Sequence, residues 1–326
     1  MKTITKLIYL AFAVVTLAIG AATTNGALND LFASINSDGT NGNGSIYEYT
    51  PDGVQSIFAS ALSRPRGVAF DHFANLFVAN TTSDVNQTLQ GTIVKITPGG
   101  VQSLFATVPG QGPFGVFLEG LAFDHAGNLF VMAIDLNDPN LASTIYKFTP
   151  DGVRSTFGSV PGQGEDIAFD SAGNLFAANA GPDQTIYKFT PDGTSSIFVG
   201  PSAFDPDHGP IGLAFDRFGN LFVSLEGAAG VPCSNDRIVK FTPDGVESDF
   251  STDVCFPWGL AFDRSGNLFV TERSFTPLSG EILKFTPDGN FTVFDSEVDD
   301  PTFLAFQLLP TPRPRPSPHP RPTLQF

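Results

Sequence analysis

GLAFDRSGNLFV, from Gly259 to Val270, is the stretch that decides the fold. Two short apolar runs, G-L-A-F and N-L-F-V, flank D-R-S-G-N, a turn in which Asp bonds nearby backbone and Gly takes the left-handed conformation. The phrase recurs as GVAFDHFANLFV from Gly67, GLAFDHAGNLFV from Gly120, DIAFDSAGNLFA from Asp166 and GLAFDRFGNLFV from Gly212. After each comes a variable stretch, then an I-Y-K-F-like run, then TPDG at Thr149, Thr190, Thr242 and Thr286 or TPGG at Thr97, and a final S-x-F-like run. Each unit therefore reads as a four-stranded antiparallel meander. Its period of roughly 41 to 53 residues is that of a propeller blade.

The chain ends set the blade count. The first unit contains DLFAS at Asp30, SIYEYTPDG at Ser45 and QSIF at Gln55, but no preceding first strand; the missing strand returns as TFLAFQ from Thr302 to Gln307. The expected fold is all-β: a six-bladed β-propeller with four-stranded antiparallel blades, the first closed by the C-terminal strand and left with no free edge. Gly and Ala fall on the first strands, near the axis where blades converge. Phe falls further out, where the gap between blades widens.

Residues 27–307 are assigned to this single domain. The leader places Lys2 and Lys6 before an apolar run from Leu7 to Ile19, with small residues to Ala22, so residues 1–22 read as a secretory signal peptide and the protein as secreted. Residues 308–326 form a proline-rich tail containing Arg313, Arg315 and Arg321, expected to be extended and disordered. The full chain carries a net charge of -16, and loss of the two leader lysines makes it more negative still. That balance argues against a nucleic-acid partner, which needs clustered Lys and Arg. No membrane span is expected in the mature chain.

Strand alternation puts both tight turns on one face and every long variable segment on the other. The variable face is the functional candidate. There the starts of the first strands, Arg66, Glu119, Glu165, Ile211, Trp258 and Thr302, should converge with the ends of the second strands, among them Asn80, Asn179 and Glu272. Glu119, Glu165, Asn179 and Glu272 are oxygen donors suited to Ca2+, Mg2+ or Mn2+. Arg66, Arg273 or such an ion would offset their mutual repulsion. A solvated polar rim accounts for the same residues. The repeated Asp71, Asp124, Asp170, Asp216 and Asp263 read as turn caps, and Lys95, Lys147, Lys188, Lys240 and Lys284 as solvated faces. His72 and His125 sit in tight turns and His319 in the tail, leaving only His208 in a variable loop. Cys233 and Cys255, the two cysteines, are expected to form a disulfide on the variable face. Asn43, Asn80, Asn86 and Asn290 begin N-x-S/T sequons.

The repeat resembles NHL-repeat propellers and, more distantly, the gluconolactonase (senescence-marker-protein) propellers and streptogramin lyases, across residues 30 to 307. The resemblance implies the propeller fold and relatives that bind macromolecules, hydrolyse lactones with a divalent metal, or eliminate lactone linkages. The gluconolactonase opening G-E-G-P-x-W is absent, and RPRG at Arg64 carries Arg66 where that family has Asn. The reading favoured from sequence is a secreted or cell-surface binding propeller that engages a protein, glycan or small ligand. A metal-dependent lactonase-type hydrolase is the alternative, and a purely structural extracellular module the third.

Overall fold

The computed structural model describes residues 29–36, 43–84, 86–110, 112–181, 183–204, 209–227, 233, 235–273 and 280–307. The leader, the proline-rich tail, His208 and His319 lie outside the described residues. The described residues form six four-stranded sheets, each an antiparallel meander, arranged in a ring. Blades are numbered from the N-terminus. Their innermost strands are Pro301–Phe306 in blade 1, then Pro65–Phe70, Val116–Phe123, Gly164–Phe169, Gly209–Phe215 and Pro257–Phe262 in blades 2 to 6. In blade 1, Pro301–Phe306 pairs antiparallel with Leu31–Ile35, which closes the ring as the repeat count requires.

The turns behave as the sequence implies. In Asp216 the carboxylate accepts from the Phe218 and Asn220 N–H groups and from Asn220 Nδ2, and the turn ends on Gly219 at φ 83°. The same bonds recur at Asp71, Asp124 and Asp170. The strand-three lysines differ from a plainly solvated face. The ammonium groups of Lys95, Lys147, Lys188, Lys240 and Lys284 each lie over a Phe ring of their own blade at 5.2 to 5.7 Å, and those of Lys95 and Lys147 also face Asp71 and Asp124 at 4.0 and 3.7 Å.

Between blades, a repeated phenylalanine trio fills the wedge. Phe222 and Phe250 of blade 5 meet Phe262 of blade 6, Phe222 lying 5.0 Å from each in edge-to-face contact. Equivalent trios, such as Phe176, Phe198 and Phe215, stand at the other interfaces. Such pairs contribute about 0.5–1.5 kcal/mol beyond the burial of their area.

Every innermost strand carries a bulge at the same place. The register against the second strand shifts between Pro65 and Val68, Leu118 and Leu121, Gly164 and Ile167, Pro210 and Leu213, and Pro257 and Leu260. Blade 1 matches them, with Thr302 and Phe303 opposite Ser34. Two residues therefore face one, and the second of the pair presses on the next blade. At Gly212 an added methyl would run into the Trp258 carbonyl, which is why glycine stands there. Asp166 occupies the same position in blade 4 and uses it differently: its carboxylate accepts the Leu213 N–H of blade 5 at 2.9 Å.

Candidate functional site

The first residue of each bulge is Arg66, Glu119, Glu165, Ile211, Trp258 or Thr302, so the bulges present one side chain per blade at the mouth of the ring. A bulge re-aims a side chain that regular pairing would hold in the sheet. Arg66 joins Glu119 to Trp258. Arg66 Nε lies 3.9 Å from Glu119 Oε2, and the Arg66 guanidinium lies over the Trp258 ring at 5.2 Å and the Phe117 ring at 5.4 Å. Arg273 also lies over Trp258, at 4.6 Å, held there by Asp300 at 2.7 Å. Glu165 Oε1 accepts from Gln163 Nε2 at 2.5 Å. Ile211 packs with Trp258 in an apolar cluster, and Thr302 turns away to bond Ser34.

Glu119 and Glu165 are 4% and 1% exposed. Burial pushes both carboxyls well above the ordinary carboxylate range; Arg66 opposes the shift at each, while the neighbouring acid Asp166 adds to it at Glu119 and Glu119 adds to it at Glu165. Asp166 is pushed up to about 7 by burial and Glu272 to about 7 by the same cause, while Glu226 is raised in the same way.

Several atoms here have no hydrogen-bond partner among the described residues. They are Arg66 Nε and Nη1, Trp258 Nε1, Asn179 Nδ2 and Oδ1, Glu119 Oε2 and Glu165 Oε2. Buried polar atoms are nearly always paired, so donors and acceptors left open together single out this cluster as the candidate site.

The second-strand ends divide. Asn80 Oδ1 accepts the Ser63 N–H at 2.6 Å and its Nδ2 donates to Thr92, so this side chain holds the loop entering blade 2. Buried with both ends bonded, Asn80 is also not presented as a glycan acceptor. Glu272 Oε1 performs the same task for the Cys255 N–H at 2.7 Å. Asn179, opposite Gly164, makes no such bond. Cys233 and Cys255 form the expected disulfide. Asp236, absent from the sequence reading, is buried beside that bridge and accepts from Gly227 N–H at 2.6 Å and Phe256 N–H at 2.7 Å. Its place in a loop outside the repeat gave no signal.

A divalent ion would have to draw on Glu119, Glu165 and Asn179. Among the described residues no group of three or more His, Cys, Asp or Glu side chains is placed to hold one. The guanidinium of Arg66 already stands 3.9 Å from Glu119, where an ion sharing that carboxylate would meet a like charge. The donor set as it stands does not fit a metal.

No family model matches the sequence, and no curated protein matches it. The fold does match solved structures. The chain is similar to a Bacteroides caccae protein of unknown function, at 12% identity and TM-score 0.58 over 86% of this chain and 99% of that one. It is similar to virginiamycin B lyase from Staphylococcus aureus, at 14% identity and TM-score 0.54 over 85% of this chain and 95% of that one. It is also similar to regucalcin, a calcium-binding protein from Agrobacterium tumefaciens, at 13% identity and TM-score 0.52 over 73% and 76% of the two chains. At these identities the likeness establishes the shared propeller fold. Among the described residues no helix is long and apolar enough to cross a membrane.

Proposed function

We propose that this chain is an exported hydrolase of small esters or lactones, acting at the mouth of the ring without a bound metal. The observation that carries the reading is the set of open donors and acceptors on Arg66, Glu119, Glu165, Asn179 and Trp258. Two buried carboxyls in unequal surroundings suit proton transfer in both directions. Glu119, nearest the Arg66 charge, is the member favoured as carboxylate and takes a proton from the attacking water. Glu165, raised by burial and by Glu119, is the member favoured as acid and gives its proton to the departing alkoxide. The bond from water oxygen to acyl carbon forms, the acyl carbon–alkoxide bond breaks, and the products are a carboxylic acid and an alcohol. Arg66 donates to the oxyanion that develops on the carbonyl. The disulfide supports an extracytoplasmic setting.

The existence of an enzyme, virginiamycin B lyase, on this architecture favours an enzyme over the pure binding module that the sequence favoured. The reading is tested with a panel of lactones and esters, with and without chelator, on the wild type and on Glu119→Gln and Glu165→Gln. Turnover that survives chelator and is lost in both variants supports it. Turnover abolished by chelator and restored by Ca2+, Mg2+ or Mn2+ replaces it with the metal-dependent reading. Saturable binding without turnover returns the chain to the binding-module class.

A further inference from the structure

We propose that the cleft between blades 5 and 6, on the tight-turn face away from the mouth, is a second binding site, for a small monoanion with an aromatic or short alkyl body. The cleft has a volume of about 250 Å³, and its floor is the phenylalanine trio of that interface, Phe222, Phe250 and Phe262. That is slightly below the roughly 300 Å³ at which sites for drug-sized ligands begin, so it admits a single ring or a short chain. The exposed Arg217 and Arg264 stand among its lining, one from the tight turn of each blade.

Both arginines are available to an anion. The acids beside them, Asp216 and Asp263, direct their oxygens into their own turns, at Asn220 and Asn267. Among the described residues neither arginine makes an ion pair. Arg217 instead lies 4.8 Å over the ring of Phe218, which is 70% exposed beside the cleft. Lys240 adds a third positive charge at the wall.

The repeat supplies an internal control. The phenylalanine trio is common to the interfaces, but the turn residues flanking it vary: His72 and His125 at blades 2 and 3, His125 and Ser171 at blades 3 and 4, Ser171 and Arg217 at blades 4 and 5. Only at blades 5 and 6 do both turns contribute arginine, through Arg217 and Arg264. Two arginines lining one apolar cleft match a carboxylate joined to an apolar body, because each guanidinium can offer paired N–H donors to the carboxylate oxygens.

The test uses 3-phenylpropionate on the full chain at low salt, read by saturation-transfer NMR and by melting temperature. Its neutral counterpart 3-phenylpropanamide and the bodiless anion acetate serve as comparators. Saturable binding of phenylpropionate is expected, at least tenfold tighter than either comparator. It should weaken tenfold or more in Arg217→Gln combined with Arg264→Gln, and severalfold in Phe218→Ser. Equal binding of the amide on the wild type, unchanged affinity in the double variant, or no saturable binding would overturn the proposal. The amide comparison needs no variant, so it decides the question even where a substitution disturbs the fold.

Discussion

Ser224 Oγ donates to the carbonyl of Trp258 at 2.7 Å while accepting the Gly212 N–H at 2.8 Å, so one hydroxyl satisfies the bulge of blade 5 and ties it to blade 6. Thr271 does the same one blade further on, accepting from Gly259 N–H and donating to the Thr302 carbonyl. These hydroxyls stand opposite the two bulged residues, where the regular ladder leaves an N–H open.

Ser224→Ala should therefore destabilise the fold by about 1–3 kcal/mol, the cost of leaving buried groups unpaired. Thr271→Val should have an effect of similar size. Equilibrium denaturation measures both, and an unchanged midpoint in each variant would show that the clips contribute nothing.

The buried acids fix the sign of the pH dependence. Glu119, Glu165, Asp166 and Glu272 have folded-state pKa values above their ordinary ones, so the folded form holds protons that the unfolded form releases. Their contribution is complete below about pH 4 and is lost as the pH rises through about 7. Stability should fall between pH 5 and pH 8, and Glu165→Gln should flatten the decline. A stability that rises over that interval contradicts the protonated cluster.

Reduction of the Cys233–Cys255 bridge should add the mass of two hydrogens and lower the melting temperature. The loss corresponds to about 2–4 kcal/mol, as for other closed loops. Mass spectrometry with and without reductant, followed by thermal melts, checks both halves of this expectation.

Chains ending at Asp300 and at Gln307 differ only by the strand that completes blade 1. The shorter should melt far lower, because Leu31–Ile35 then loses its inner partner and Phe32 loses Phe303 from its cluster. Equal melting temperatures would mean that the ring does not depend on this closure.

The scaffold was legible because a repeat states its turns and strands several times over, so Asp216 or Gly245 could be read by its counterparts. The bulges were not legible: a one-residue offset between two strands leaves no mark in the order of residues. The residues that occupy them read only as the starts of the first strands, because Arg66, Glu119 and Glu165 vary beside an otherwise repeated glycine. Asn80, Asn179 and Glu272 looked equivalent and are not. Two of them meet a loop N–H, at Ser63 and Cys255, and the third does not, which depends on loop backbone that the repeat leaves unspecified.

The pairing of Leu31–Ile35 with Pro301–Phe306 also gives this molecule a timetable. Blades 2 to 6 are each local in sequence and can form in order as the chain emerges during synthesis. Blade 1 is the exception: its outer three strands are made first, yet their inner partner is made last. The opening segment must wait, with the apolar faces of Phe32 and Ile46 unmatched, until nearly the whole ring has been built around the gap it will fill. Folding therefore finishes where it began, and the interval between is when this protein has most need of protection from its neighbours.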